Sequence, residues 1–203
     1  MPLNSDTVAF EWCGACITFE PHEHIEGTSE RYVKHELDWY NSQDLSIIGH
    51  QGIEKNTIWK SCAADNGHIN SNYGWCIFSE ENGNQFQHAV IALKRDSLTR
   101  QACMYYTRPT IHKEWNDGKH AKHDMICTCY TTSLIRHGFL EHHVHMRSND
   151  IWYGLRNDLA WQQHVQELLA KELNTPCGLI RWFVDSLHLY KRNVKQVKEW
   201  LRQ

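Results

Sequence analysis

A cysteine, two carboxylates and an arginine carry the chemistry that can be read first. In the segment MRSNDIWYGLRNDLAW (146–161), Arg147 and Ser148 put a guanidinium fork beside a hydroxyl, a common pairing for a phosphate. Asp150 and Asp158 flank a turn containing Gly154. Cys127 starts an alternating stretch to Ile135, and Leu140 to Arg147 alternates again after Arg136-His137-Gly138. That pattern predicts a β-hairpin in which Cys127 lies across from Arg147. A cation next to a thiol favours the nucleophilic thiolate. Glu36 falls near the apolar stripe of a predicted helix, one turn from Val33 and Tyr40, so it must be either paired or functional. From these local features alone, a buried cysteine and a solvated helix start is the favoured reading.

Fifteen His and eight Cys invite a metal reading. Cys13 and Cys16 have CxxC spacing, with His22 and His24 shortly after. A structural zinc site needs two such knuckles closing a tetrahedron. The other candidates, His120, His123, Cys127 and Cys129, do not form a second knuckle, because Cys127 and Cys129 are only two apart. The hairpin alternation puts His143 and His145 on one face and His142 on the other, which weakens a three-histidine site. A thioredoxin-like motif needs a strand–CxxC–helix context, whereas here the pair interrupts what reads as one strand over 8–19. No metal is expected, and most cysteines read as small hydrophobes in a reducing compartment. A zinc-stapled binding module built on Cys13, Cys16 and the His-rich stretch is the alternative from another class.

The elements that must position these residues follow from periodicity. Helices are predicted over 30–42, with Thr28 or Ser29 as its cap, and over 84–95; another starts at Asp158 and a last one carries Val194, Val197, Trp200 and Leu201. Leu179–Leu189 reads as a further strand, ending at His188-Leu189-Tyr190. Strands and helices are interspersed without strict βαβ alternation, which predicts a single α+β domain over 1–203. A chain of 203 residues buries about 70% of its unfolded surface and needs no staple. Its 21 basic and 24 acidic residues give a net charge of −3 and no basic stripe, so no polymeric nucleic acid is expected as partner. No apolar run suits a membrane span, and MPLNSDTVAFEW lacks the features of a secretory signal, so a cytoplasmic location is expected.

The 146–161 segment resembles the thymidylate synthase superfamily, in which RS-x-D and a following Gly-Leu come after the nucleophilic Cys. Cys127 precedes Arg147 by 20 residues, and Asp158 precedes His188 by 30, as in that family. His188-Leu189-Tyr190 matches its His-x-Tyr pair, and HELDWY (35–40) matches its glutamate-bearing helix. Within the superfamily, the chain is most similar to the deoxycytidylate hydroxymethylase branch of T-even-type bacteriophages. GHINSNYGWCIFSEEN (67–82), YTRP (106–109), MRSND (146–150) and SLHLY (186–190) carry that likeness.

The resemblance implies a thymidylate synthase-like mixed sheet with helices packed on one face. It implies a homodimer acting on dCMP with 5,10-methylenetetrahydrofolate, in the host cytoplasm if phage-encoded. Cys127 would be the nucleophile, Glu36 would handle protons and water, and Asp158 would hold the base edge. Arg147, Ser148 and, across the subunits, Arg100 would hold the phosphate. His188 and Tyr190 would meet the sugar, Tyr73 would lie near the nucleophile, and Asp150 and Trp59 would contact the folate. Asp158 stands where thymidylate synthases have Asn. An amide can satisfy uracil's oxygen and ring N–H together, whereas a carboxylate accepts from cytosine's amino group and repels uracil's oxygen.

Other positions depart from the family. Gln101 and Cys62 stand where an Arg and a Trp are usual, leaving Arg156 and Lys94 as candidate replacement cations. Thirteen residues follow Tyr190, fewer than the family's closing tail, so cofactor closure is expected to differ. A dCMP methyltransferase and a dUMP-acting relative remain the alternative enzymes.

Overall fold

The computed structural model describes residues 9–115 and 123–202. The predicted hairpin forms from β3 (Thr128–Arg136) and β4 (Phe139–Asp150). Its two turn residues, His137 and Gly138, both take positive φ, 52° and 82°, the hairpin geometry that follows the strands' natural twist. β4 then runs through α6 (Gly154–Leu173) into β5 (Cys177–Tyr190), which returns parallel to β4. β1 (Ala9–Phe19) adds antiparallel to β5, and the short β2 (Cys103–Tyr105) adds antiparallel to β3. The five strands lie in the order β1-β5-β4-β3-β2, a mixed sheet.

Five further helices are α1 (Glu30–Ser42), α2 (Thr57–Cys62), α3 (Tyr73–Phe78), α4 (Gln85–Arg95) and α5 (Ile111–Trp115), and α7 (Val194–Trp200) ends the chain. Ser29, Asn56, Asn72 and Asn84 cap α1 to α4 by accepting from first-turn N–H groups. The reading of the sequence recovers β1, α1, α4, the hairpin, β5 and the two C-terminal helices. It misses α2, α3, α5 and β2. α3 is buried from Tyr73 through Ile77, so no polar face breaks its pattern into a helical period.

The core between helices and sheet is aromatic. Tyr40 stacks on Tyr73 at 5.1 Å and meets Trp161 edge-on at 5.0 Å, and Tyr73 meets Tyr106 at 5.2 Å. A second cluster joins Val144, Met146, Leu155, Leu159, Trp182 and Val184. Between them runs a polar chain. Ser133 Oγ bonds His142 Nδ1 at 2.9 Å, and His142 Nε2 meets Gln162 Oε1 at 3.0 Å. Gln162 Oε1 also accepts from Tyr106, whose hydroxyl accepts from Trp161 Nε1. Burial pulls the His142 imidazole down to about 4, so it is neutral.

The other sheet face has a different character. His145 lies between Tyr130 and Phe183, with ring centroids 4.2 and 4.6 Å away, and the row is half-exposed. Cys13 and Cys16 are exposed within β1, and His22 meets Glu167 at 3.0 Å. Among the described residues no cluster of three or more ligating side chains could hold a metal, and His120 lies outside them. No helix of the described residues is long and apolar enough to cross a membrane.

Gly74 sets how closely α3 approaches α1. A Cβ built there would stand 1.8 Å from the Tyr40 carbonyl oxygen, a backbone atom that cannot swing aside. Gly74→Ala is therefore expected to destabilise the fold by about 3 kcal/mol or more, at the upper end of overpacking costs, read as a lowered midpoint in urea unfolding. A midpoint unchanged from wild type would show that the helices separate without cost.

Candidate active site

Cys127 immediately precedes β3, and strand pairing brings Arg147 opposite it. The Arg147 backbone N–H donates to the Cys127 carbonyl at 2.9 Å, and a guanidinium nitrogen lies 3.6 Å from Sγ. The same guanidinium is braced by the carbonyls of Ile126, at 3.0 Å, and Met125. The expectation of a thiolate needs correction for this state of the site. Burial pushes the Cys127 thiol up to about 12; Arg147 opposes this, while Asp158 and Asp124 add to it. One cation does not outweigh desolvation and two nearby carboxyls.

Glu36 comes from α1 and is buried. Its Oε1 accepts from the Tyr32 hydroxyl at 2.9 Å, one helical turn back, and that hydroxyl accepts from Trp59 Nε1 at 2.8 Å. Desolvation and then Asp158 push the Glu36 carboxyl up to about 8. Asp158, on the second turn of α6, is raised to about 7 by burial and Asp150, against hydrogen bonds from Asn149 and Tyr73. Asn149 Nδ2 donates to Asp158 Oδ2 at 2.8 Å. Two acids that ionise near neutrality thus sit within electrostatic reach of one another and of the thiol.

The parallel β4/β5 register collects the rest. Ser148 pairs with Ser186 and Asp150 with His188, and the His188 and Tyr190 rings meet edge-on at 4.9 Å. Asp150 spends one oxygen on the Trp152 N–H at 3.0 Å. Tyr73 is placed by its stack on Tyr40.

Arg100 is exposed in the loop between α4 and β2 and makes no hydrogen bond or ion pair with these residues within one chain. Neither candidate replacement cation joins the site. Lys94 pairs with Glu172 at 3.6 Å, and Arg156 donates to the Gly27 carbonyl and stacks on Trp152 at 4.2 Å.

The sequence reading did not single out Tyr32, Asn149 or Asp124. Tyr32 had a signal, its i,i+4 spacing to Glu36. Buried Asp124 had none: it accepts from the backbones of Asn70 and Ser71, at 2.9 and 2.6 Å, and from Ser71 Oγ at 2.7 Å. These bonds tie the approach to α3 to the segment entering Cys127.

A family model for thymidylate synthase matches residues 26–203, and the chain belongs to that family. The deoxycytidylate 5-hydroxymethyltransferase of Enterobacteria phage T4 is 38% identical over 179 residues, covering 85% of this chain and 72% of that protein. The thymidylate synthase of Buchnera aphidicola subsp. Baizongia pistaciae is 24% identical over 178 residues, 82% of this chain and 62% of its own length. Among solved structures, thermostable thymidylate synthase A from Bacillus subtilis superposes with a TM-score of 0.75 at 17% identity, covering 96% of this chain and 71% of its own. Thymidylate synthase from T4 phage gives 0.74 at 19%, covering 96% and 72%. These structural likenesses establish the fold.

The raised Glu36 carboxyl has a consequence for stability. Folding favours its protonated form, so its contribution is fully present below its ordinary value of 4.5 and is lost as pH rises through about 8. Glu36→Gln removes that loss. The variant is expected to be more stable than wild type by about 1–3 kcal/mol at pH 7–8, with the gain fading toward pH 4.5. Thermal melts across that range measure it, and a variant less stable at pH 8 than at pH 5, relative to wild type, contradicts the assignment.

Proposed function

We propose that this enzyme is a deoxycytidylate 5-hydroxymethyltransferase, using 5,10-methylenetetrahydrofolate as co-substrate to make 5-hydroxymethyl-dCMP. The observation that carries the reading is Asp158, a carboxylate kept as an acceptor by the Asn149 N–H, in a buried patch shared with Cys127 and Glu36. The 38% identity to the phage T4 hydroxymethyltransferase supports it.

Arg147 and Ser148 hold the phosphate, and His188 and Tyr190 meet the sugar. The Cys127 thiol gives up its proton, and Sγ bonds to carbon 6 of the pyrimidine, making carbon 5 nucleophilic. Arg147 beside Sγ favours that ionisation. Asp158 accepts from the cytosine amino group and stabilises positive charge on the activated ring. An indole and a carboxylate, Trp59 and Asp150, suit the flat, N–H-bearing ring of a pterin, and Asp150 has an oxygen beyond the one on Trp152. When bound, the folate supplies the one-carbon unit that carbon 5 takes up. Carbon 5 then loses its proton as the bond from the transferred carbon to the folate nitrogen breaks and tetrahydrofolate leaves, giving an exocyclic methylene; Glu36 orders the water that adds to it, and its protonated form serves as acid. Cys127 then leaves carbon 6 and the double bond re-forms.

The deciding experiment incubates the enzyme and the folate with dCMP or dUMP and reads products by mass. Hydroxymethyl-dCMP is expected, while methyl-dCMP or a dUMP product favours the other enzymes of the family. Asp158→Asn is expected to move the dCMP/dUMP ratio of kcat/KM toward dUMP by about 10²–10⁴. A ratio within about twofold of wild type removes Asp158 as the base reader.

The same reading includes a homodimer through the half-exposed sheet face bearing Tyr130, His145 and Phe183, with Arg100 reaching the partner's phosphate. It acts in the cytoplasm, that of an infected bacterium if the chain is phage-encoded. Arg100→Ala and Arg147→Ala proteins, each weak alone, are expected to regain about a quarter of wild-type activity when subunits mix randomly, because each heterodimer carries one intact site. No recovery despite subunit exchange argues against a shared site.

A further inference from the structure

Beneath Asp158 the bond from Asn149 continues into a short chain whose inner link the proposed chemistry leaves unused. Trp182 Nε1 donates to Asn149 Oδ1 at 3.3 Å, and Asn149 Nδ2 donates to Asp158 Oδ2 at 2.8 Å. Trp182 and Asn149 are 0% and 3% exposed. An indole N–H can only donate, so it decides which end of the amide faces Asp158. A flipped amide would set N–H against N–H and carbonyl against carboxylate. Gly154 closes the arrangement from above: a Cβ there would stand 3.3 Å from Asn149 Nδ2 and 3.5 Å from Asp158 Oδ2, so α6 begins directly over the bond.

The base edges make this orientation matter. Cytosine offers a donor at position 4 and an acceptor at ring nitrogen 3; uracil offers the reverse. A carboxyl whose proton can move between its two oxygens presents both orders and reads either base. The surroundings of Asp158 favour such a proton. Glu36, Tyr32 and Tyr40 face it from α1, Tyr73 from α3, and Cys127 and Asp150 from the sheet side, without a cation among them. Tyr73 also donates to this carboxyl, but the Asn149 bond is the one fixed on Oδ2, and it disfavours a proton there and the uracil-like order with it.

We propose that Asn149, oriented by Trp182, is the positioning residue for base selection: it pins Asp158 Oδ2 as an acceptor, so that the carboxyl reads cytosine and refuses uracil. This rests on the hydroxymethyltransferase reading. Removing the pin lets a protonated Asp158 imitate the amide of the uracil-reading enzymes, and the loss disappears where Asp158 is ionised.

The test measures kcat/KM for dCMP and dUMP at pH 6 and pH 8.5 in wild type, Asn149→Ala and Trp182→Phe, with calorimetric binding of both nucleotides as a readout independent of turnover. In Asn149→Ala the dCMP/dUMP ratio is expected to fall about 10- to 100-fold at pH 6 and to return to within about threefold of wild type at pH 8.5. Trp182→Phe, which removes the indole donor but keeps the Asn149 amide and frees it to flip, is expected to lose about three- to tenfold at pH 6. It is the deciding variant should Asn149→Ala fail to fold. A purely structural role would slow both nucleotides alike, leave the ratio unmoved at either pH and overturn the proposal. So would a fall in ratio that is equal at both pH values. Wild type inert toward dCMP overturns the functional reading together with this inference, whereas active wild type with unchanged ratios overturns the inference alone.

Discussion

Desolvation of acids is the constraint on which this molecule turns. Cys127, Glu36 and Asp158 are drawn into one buried patch, and Asp158 adds to the cost of ionising the other two. The two carboxyls, which water would ionise, are thereby brought close to neutrality, where they can exchange protons, while the thiol is held in its protonated form. Folding bears the cost locally, which is why the surroundings are rich in rigid aromatic packing and short polar bonds. Glu36 is held by Tyr32 and Trp59, Asp158 by Asn149, and the loop beneath by Asp124.

Different parts of the fold deliver the three groups by different physical means. The hairpin brings Cys127 and Arg147 together through backbone pairing alone, so their separation is set by strand geometry. α1 delivers Glu36 only because Gly74 lets α3 lie against the Tyr40 carbonyl and the Tyr40–Tyr73–Trp161 aromatics fill the space behind it. Asp158 arrives with α6, whose long span crosses from β4 to β5 and is anchored in the interior through Gln162 and Gln166, the latter donating to the carbonyls of Leu140 and Gly178. The buried neutral His142 belongs to that anchoring, although its position in a His-rich strand suggests chemistry.

The two faces of the sheet divide the work. One face packs the helices that carry acids and aromatics. The other presents a half-exposed ring stack, Tyr130, His145 and Phe183, while Arg100 stands exposed and without an ion pair among the described residues. A phosphate grip built from Arg147 and Ser148 alone is sparse for a dianion. The proposed second subunit accounts for both the exposed face and the idle cation.

Much of this was legible in the residues themselves. Alternation over Cys127–Arg147 marked the hairpin because one sheet face is buried and the other is not, and that alone put Cys127 across from Arg147. Helical spacing marked α1 and placed Glu36 at its buried edge. The identity of Asp158 as a carboxylate also needed no structure. Tertiary packing decided what periodicity cannot carry. α3 is buried all round and so has no amphipathic signature. The Asn149–Asp158 bond and the Asp124 tie join residues whose meeting depends on how strands, helices and loops are laid together. The protonation of Cys127 likewise depended on packing: the sequence offered a cation beside a thiol, and the fold added burial and two carboxyls. Sequence determines which groups exist and which face of an element they occupy; only three-dimensional enclosure determines how much water they keep, and with it their charge.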